Sequence, residues 1–427
     1  MRRRLLAPAA AVLAAAAAWP GTAAAAPRPM RAGVWTTPAE LRALPERGPA
    51  WTALKRVADE PIGTPHLNGK NSSADTHTLA AALVYARTAD PGYATKVRTA
   101  LMAVIGSERG GRTLALARGL QAYVIAADLV DLHRLDPAAD QAFRTWLAAV
   151  RTERLRPADT PTLIATHEIR PNNWGTHAGA SRMAADVYLG DTTDLARAAK
   201  VFKGWLGDRA AYHGFKYGPR SWQADPTRPV AINPPGAVLH GHPVDGALPD
   251  DLRRGCGFQF PPCPTGYPWE AMQGAVVQAE ILHRQGYDAY DWGHQALLRA
   301  TRFLLALDRR YPTGGWGISG DDTWIPWLLN ARYHTHLPTT SPTQPGKGIG
   351  FTDWTLGPTG RRVTGSTAGT PTPTTTPPPS GSPASDPGRS SSPSATLPGE
   401  LGIGALVLAA ALTAVLARRR GQRHARP

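Results

Sequence analysis

An all-α fold is what this 427-residue sequence predicts, with antiparallel helix hairpins packed in layers or closed into an (α/α) toroid and one long irregular loop. Three observations carry the prediction. Apolar residues recur at helical spacing, as in Leu114, Leu120, Tyr123, Ile125, Ala126, Leu129 and Leu132. No run of β-branched residues alternates with period two. Short breaks separate the periodic segments, and no fixed-period repeat points to an open solenoid.

Taken in order, Thr37-Pro38-Ala39-Glu40 has the spacing of a capping box and starts the first helix, whose apolar positions run to Val57. Helices are predicted over 77–88, 93–105, 113–132, 137–150, 175–189 and 195–205, then over 267–285, 292–307 and 322–333. Residues 207–266 interrupt them with Pro, Gly, His, Asp and aromatics. The interruption far exceeds the ~12–15 residues at which a structureless loop becomes unusual, and such loops are commonly lids or binding walls. This one carries Tyr217, Arg220, Trp222, His240, Arg253 and Arg254. Aromatic rings stack on sugar faces and guanidinium groups pair bidentately with carboxylates, so the mixture suits an acidic carbohydrate. Cys256 and Cys263 are the only cysteines, and in an exported chain they form most simply a local disulfide. Their neighbourhood offers too few ligands for a metal, and no cofactor is implied.

The chain ends set the compartment. Arg2-Arg3-Arg4, an apolar run and Ala23 to Ala26 follow the order of a secretory signal peptide over residues 1–26. The helical domain is expected over 27–360 and a Ser/Thr/Pro-rich disordered stalk over 361–398. Residues 399–427 hold an apolar run from Leu401 to Ala417 followed by Arg418-Arg419-Arg420, the pattern of a transmembrane helix with a basic cytoplasmic tail. The order Leu-Pro, apolar run, basic tail also resembles a sortase-type wall-sorting signal, although the segment Leu397-Pro398-Gly399-Glu400-Leu401 lacks a Thr-Gly pair. The expected location is therefore the outer cell surface. Of the formal net charge of +15, Arg2 to Arg4 supply three and the residues after Pro398 a further four, which leaves a surplus of eight. That surplus attracts polyanions. Nucleic acid is not the expected partner, because the chain is exported and its cations are scattered.

The most informative segment is Arg170-Pro171-Asn172-Asn173-Trp174-Gly175-Thr176-His177. It places a guanidinium, two amides and an imidazole at the mouth of a predicted helix. An enzyme that removes a proton next to a carboxylate needs donors to neutralise that carboxylate and a base within reach. Each residue also has a structural role open to it: Asn172 or Asn173 as the helix N-cap, His177 as a satisfied core histidine, Trp174 as core or as a sugar platform.

The run from Arg170 to Arg182, the stretch Asp245 to Gly255 and Tyr267-Pro268-Trp269-Glu270-Ala271 together resemble the alginate lyase superfamily, over roughly residues 65–335. The resemblance implies an (α/α) toroid domain that cleaves a polyuronate by β-elimination. It implies Asn173 and Arg254 as the groups that neutralise the uronate carboxylate, His177 as base and Tyr267 as acid, with Tyr267 also able to act as base. Arg170, Asn172, Trp174, Tyr217, Arg220, Trp222 and His240 are the expected substrate contacts. The sequence departs from the family pattern at two places. Trp174 stands where the family has its histidine directly after the paired asparagines. Arg254 and Tyr267 are thirteen positions apart instead of seven, with the Cys256 and Cys263 loop between them.

Two other classes compete. Glu270, Asp321 and Asp322 supply the carboxyl pair that a toroidal glycoside hydrolase needs, and a tethered polysaccharide-binding module needs no catalytic group at all. Truncating the gene before Leu397 is expected to release soluble protein into the medium, measured by fractionating the culture. Retention of the truncated protein on the membrane would exclude the anchor.

Overall fold

The computed structural model describes residues 33–69, 72–156 and 162–357. The described residues form one compact unit. The leader, the stalk and the apolar run from Leu401 lie outside the described residues. Among the described residues no helix is long and apolar enough to cross a membrane.

The described chain is all-α apart from one two-stranded hairpin. Helix α1 (Pro38–Arg42) starts with the expected capping box between Thr37 and Glu40. It does not run on to Val57, because Pro45 and Pro49 intervene and Pro49 opens a new helix, α2 (Pro49–Asp59). α3 (Ala74–Thr88) and α4 (Pro91–Val104) form a hairpin, with Asp90 capping the second helix. α5 (Thr113–Leu129) is buried on nearly every side. A left-handed Asp131 separates it from α6 (Leu132–Leu135), so the predicted helix over 113–132 ends a turn early. α7 (Pro137–Val150) matches its predicted bounds.

α8 (Leu163–Ile169) is a seven-residue helix that the apolar spacing does not announce; Thr162 caps it. α9 (Asn173–Leu189) is capped by Asn172 and ends on left-handed Gly190. α10 (Thr192–Trp205) follows at once. The long interruption is ordered. It contains the hairpin of β1 (Val238–Leu239) and β2 (His242–Pro243), turned through His240 and Gly241, both with positive φ, and the single turn α11 (Pro249–Leu252). Buried amides replace the missing secondary structure: Asn233 donates to the Trp222 carbonyl at 3.0 Å, and Gln223 both donates to and accepts from Val230. α12 (Tyr267–Arg284), α13 (Trp292–Arg310), α14 (Ile325–Tyr333) and α15 (Thr352–Leu356) complete the chain.

α3, α5, α9 and α12 pack each beside the next through the middle of the domain. The closest approach is between α9 and α12, where glycines replace side chains. A Cβ on Gly274 would lie 2.4 Å from the His177 backbone nitrogen, and one on Gly179 would lie 2.4 Å from the Gln278 side-chain oxygen. Gln278 also donates to the Thr176 carbonyl at 2.8 Å, which locks the register of the two helices. Gly274→Ala forces two backbones apart and is expected to destabilise the domain by about 1–3 kcal/mol or more, read as a lower midpoint of denaturant unfolding. An unchanged midpoint would mean that the two helices do not approach this closely.

Candidate active site

The site grows from the first turn of α9. Asn172 is the N-cap: its side-chain oxygen accepts from the Trp174 backbone N–H at 3.2 Å, and its amide nitrogen donates to Asp250 at 2.8 Å. Asn173 is one residue further in, at a position with no exposed surface. Its backbone N–H donates to Asp251 at 3.2 Å, its side-chain nitrogen donates to Glu270 at 2.7 Å, and its side-chain oxygen accepts from Arg254 at 2.6 Å. One amide thus joins α9, the turn after α11 and the first turn of α12.

Arg254 lies over the face of the Tyr267 ring, 3.4 Å from its centroid, in a cation–π contact. Glu270 also accepts from Arg118 of α5. Asp251 is fully buried, and burial together with its neighbour Asp250 holds its carboxyl well above the usual range. Asp251 also lies 3.8 Å from the Arg254 guanidinium, and the upward shift weakens the charge it sets against that cation. Asn173, Arg254 and Tyr267 are therefore brought together. Arg254, Tyr267, Glu270 and Arg118 keep part of their surface exposed.

His177 is one turn deeper on α9. It is fully buried, and neither ring nitrogen has a hydrogen-bond partner among the described residues. Burial, reinforced by the nearby Arg118 and Lys347 charges, pushes its pKa well below the ordinary histidine value, so the ring is neutral. It belongs to the same electrostatic neighbourhood through Arg118, but from behind the Asn173 network.

The expected substrate contacts separate into groups. Trp174 is half-buried, with Arg112 4.9 Å and Arg170 5.7 Å from its ring. Tyr217 packs edge-on against Phe215, and exposed Arg220 donates to the Pro226 carbonyl. His240 sits in the hairpin turn against Phe258. Trp222 requires a correction. At 1% exposure its indole is enclosed by Phe258 and Phe260, so it is the core of the long loop and offers no face to a sugar. The loop has to bury something to hold its shape, and its largest apolar ring is what it buries. Cys256 and Cys263 form a disulfide, with Cα atoms 5.7 Å apart, that pins the segment between Arg254 and Tyr267.

Sequence reading did not single out Arg118 or Lys347. Lys347 pairs with Asp321, and its carbonyl accepts from Gln121 of α5 at 2.8 Å. Gly348 beside it has φ 82°, and a Cβ there would meet the Arg118 carbonyl at 2.8 Å. Asp75 of α3 holds this turn by accepting the Gly348 backbone N–H. Asp322 accepts from Gln273 at 2.6 Å, and burial raises its carboxyl pKa to about 7.

Residues 63–215 match the family model described as Alginate lyase. The resemblance read from the sequence holds over that stretch, which includes Arg118, Asn173 and His177 and ends before Arg254 and Tyr267. Neither a curated protein nor a solved structure gives a significant match to the chain.

Burial raises the Asp75 carboxyl pKa to about 7, against 3.8 for an unperturbed aspartate. Between those values the unfolded chain gives up a proton that the folded protein keeps, so the contribution of Asp75 to stability is full below pH 4 and declines as pH rises toward 7. Asp75→Asn is expected to remove a decline of roughly 2–4 kcal/mol across that window, measured by denaturant unfolding at a series of pH values. An identical pH slope in the variant would place the titrating group elsewhere.

Proposed function

We propose that this protein is an extracellular polysaccharide lyase that cleaves a uronic-acid-containing polymer by β-elimination. The observation that carries the reading is the Asn173 amide held between Arg254 and Glu270, with Arg254 lying on the ring of Tyr267. The family match over 63–215 supports it. The packing of α3, α5, α9 and α12 each beside the next is compatible with an (α/α) toroid.

In this reading Arg254 meets the substrate carboxylate and withdraws its charge, which makes the adjacent C5 proton removable. Asn173 has no exposed atom, so it acts by fixing the orientation of Arg254 and Glu270. Tyr267 removes the C5 proton and returns a proton to the leaving glycosidic oxygen. The C5–H and C4–O bonds break, a C4=C5 double bond forms, and no water is consumed. Neutral His177 supports the network from within, and Trp174 with Arg112 and Arg170 forms the adjoining sugar platform. The leader and the apolar C-terminal run support export and attachment to the cell surface by a membrane helix.

A glycoside hydrolase is the second reading, favoured by Asp322, whose pKa of about 7 suits a general acid, and by Glu270 close enough to raise it. The products separate the two. Purified protein incubated with a panel of acidic polysaccharides should form an unsaturated sugar that absorbs in the near ultraviolet, whereas hydrolysis adds only reducing ends. Tyr267→Phe and Arg254→Lys are each expected to lower turnover by about 10²–10⁴ with an unchanged thermal midpoint. His177→Ala should lower the midpoint instead, with less than a tenfold effect on turnover of the folded protein. Reducing ends without ultraviolet absorbance would overturn the lyase reading.

A further inference from the structure

Along α13, away from the Asn173 network in sequence, a groove of about 540 Å³ lies between this helix and the segments that carry Pro243, Asp245 and Phe260. Its rim is cationic. Arg302, Arg309 and Arg310 are exposed, and none of them has a carboxylate partner among the described residues. The fourth arginine, Arg299, is already paired with Asp245 at 2.5 Å. From Arg302 to Arg309 the helix rises about 10 Å, so the charges line a track instead of converging on one point.

The floor is apolar and rigidly built. Phe303 and Leu307 of α13 form one side and Phe260 the other. Phe260 stacks on His242 at 4.1 Å and packs against Phe258 and Trp222, and it lies inside the Cys256–Cys263 disulfide. A track of unpaired guanidinium groups over an aromatic floor fits a chain that has alternating carboxylates and apolar ring faces. A lone small anion would leave most of the track unused, and a flat lipid surface does not match a concave groove whose rings are recessed.

We propose that this groove is an auxiliary binding site for a carboxylated polysaccharide. The inference rests on the reading of the substrate as a uronate polymer, but it requires no catalysis. The disulfide loop ties the groove to the candidate active site, since Arg254 and Tyr267 flank the same loop that carries Phe260.

The test uses the full-length protein carrying Tyr267→Phe, so that bound chains stay intact, with oligosaccharides of alginate and of polygalacturonate as probes and neutral dextran as control. Adding Arg302→Gln, Arg309→Gln and Arg310→Gln is expected to weaken oligosaccharide binding about tenfold at low salt and to flatten its salt dependence. Unchanged circular dichroism and thermal midpoint show that the variant is folded. Equal affinity with and without the three arginines overturns the proposal, as does failure of both oligosaccharides to bind. Loss of binding to anionic phospholipid vesicles in place of oligosaccharides also overturns it, by assigning the surface to lipid. Loss of oligosaccharide binding in the triple variant, with no unsaturated product from the unsubstituted protein, upholds the groove and rejects the lyase reading alone.

Discussion

The side-chain amide of Asn173 is the constraint on which the candidate site depends. A buried amide must satisfy both its oxygen and its nitrogen, and here each does so with a group of opposite charge from a different part of the chain, Arg254 for the oxygen and Glu270 for the nitrogen. An ionised aspartate or a leucine of similar size cannot accept at one end and donate at the other. The arrangement in turn requires α9 and α12 to lie almost backbone to backbone, which is why Gly274 faces Thr176 and His177 without a side chain. Fold and site therefore share one requirement.

Electrostatics decide which members of the cluster remain available to a ligand. Glu270 is answered by Arg118, and Arg254 has only the more distant Asp251, at 3.8 Å, whose carboxyl burial pushes toward its neutral form. The same burial that makes Asp251 neutral keeps His177 neutral, but with the opposite direction of pKa shift, since burial disfavours whichever form is charged.

Much of this was legible in the sequence, for reasons that differ by residue. The long helices follow from apolar spacing, and the capping box at Thr37 and the disulfide follow from local pattern. Asn172 as cap is readable from the dipeptide, and Asn173 beside it is the residue proposed for the site. α8 escaped because seven residues are too few to show a period, and Pro45 and Pro49 split a segment that hydrophobic pattern alone would join. Arg118 and Lys347 could not be found locally, since each matters through a partner far away in sequence. Trp222 was misplaced because composition shows that a loop is rich in aromatics but not which ring the loop folds around.

The turn at Lys347 and Gly348 has a consequence for how the protein must be made. Gln121 reaches its Lys347 partner across 226 positions of sequence, and Arg118 reaches Glu270 across 152. High contact order of this kind slows folding, because loop-closure entropy is lost before the contacts that offset it can form. A chain emerging from its N-terminus completes α9 long before the segments that give the helix its chemistry exist, so local helices are early and the assembled cluster is late. Synthesis thus precedes competence, and a fragment ending near residue 215 would contain Asn173 but none of the groups that orient it.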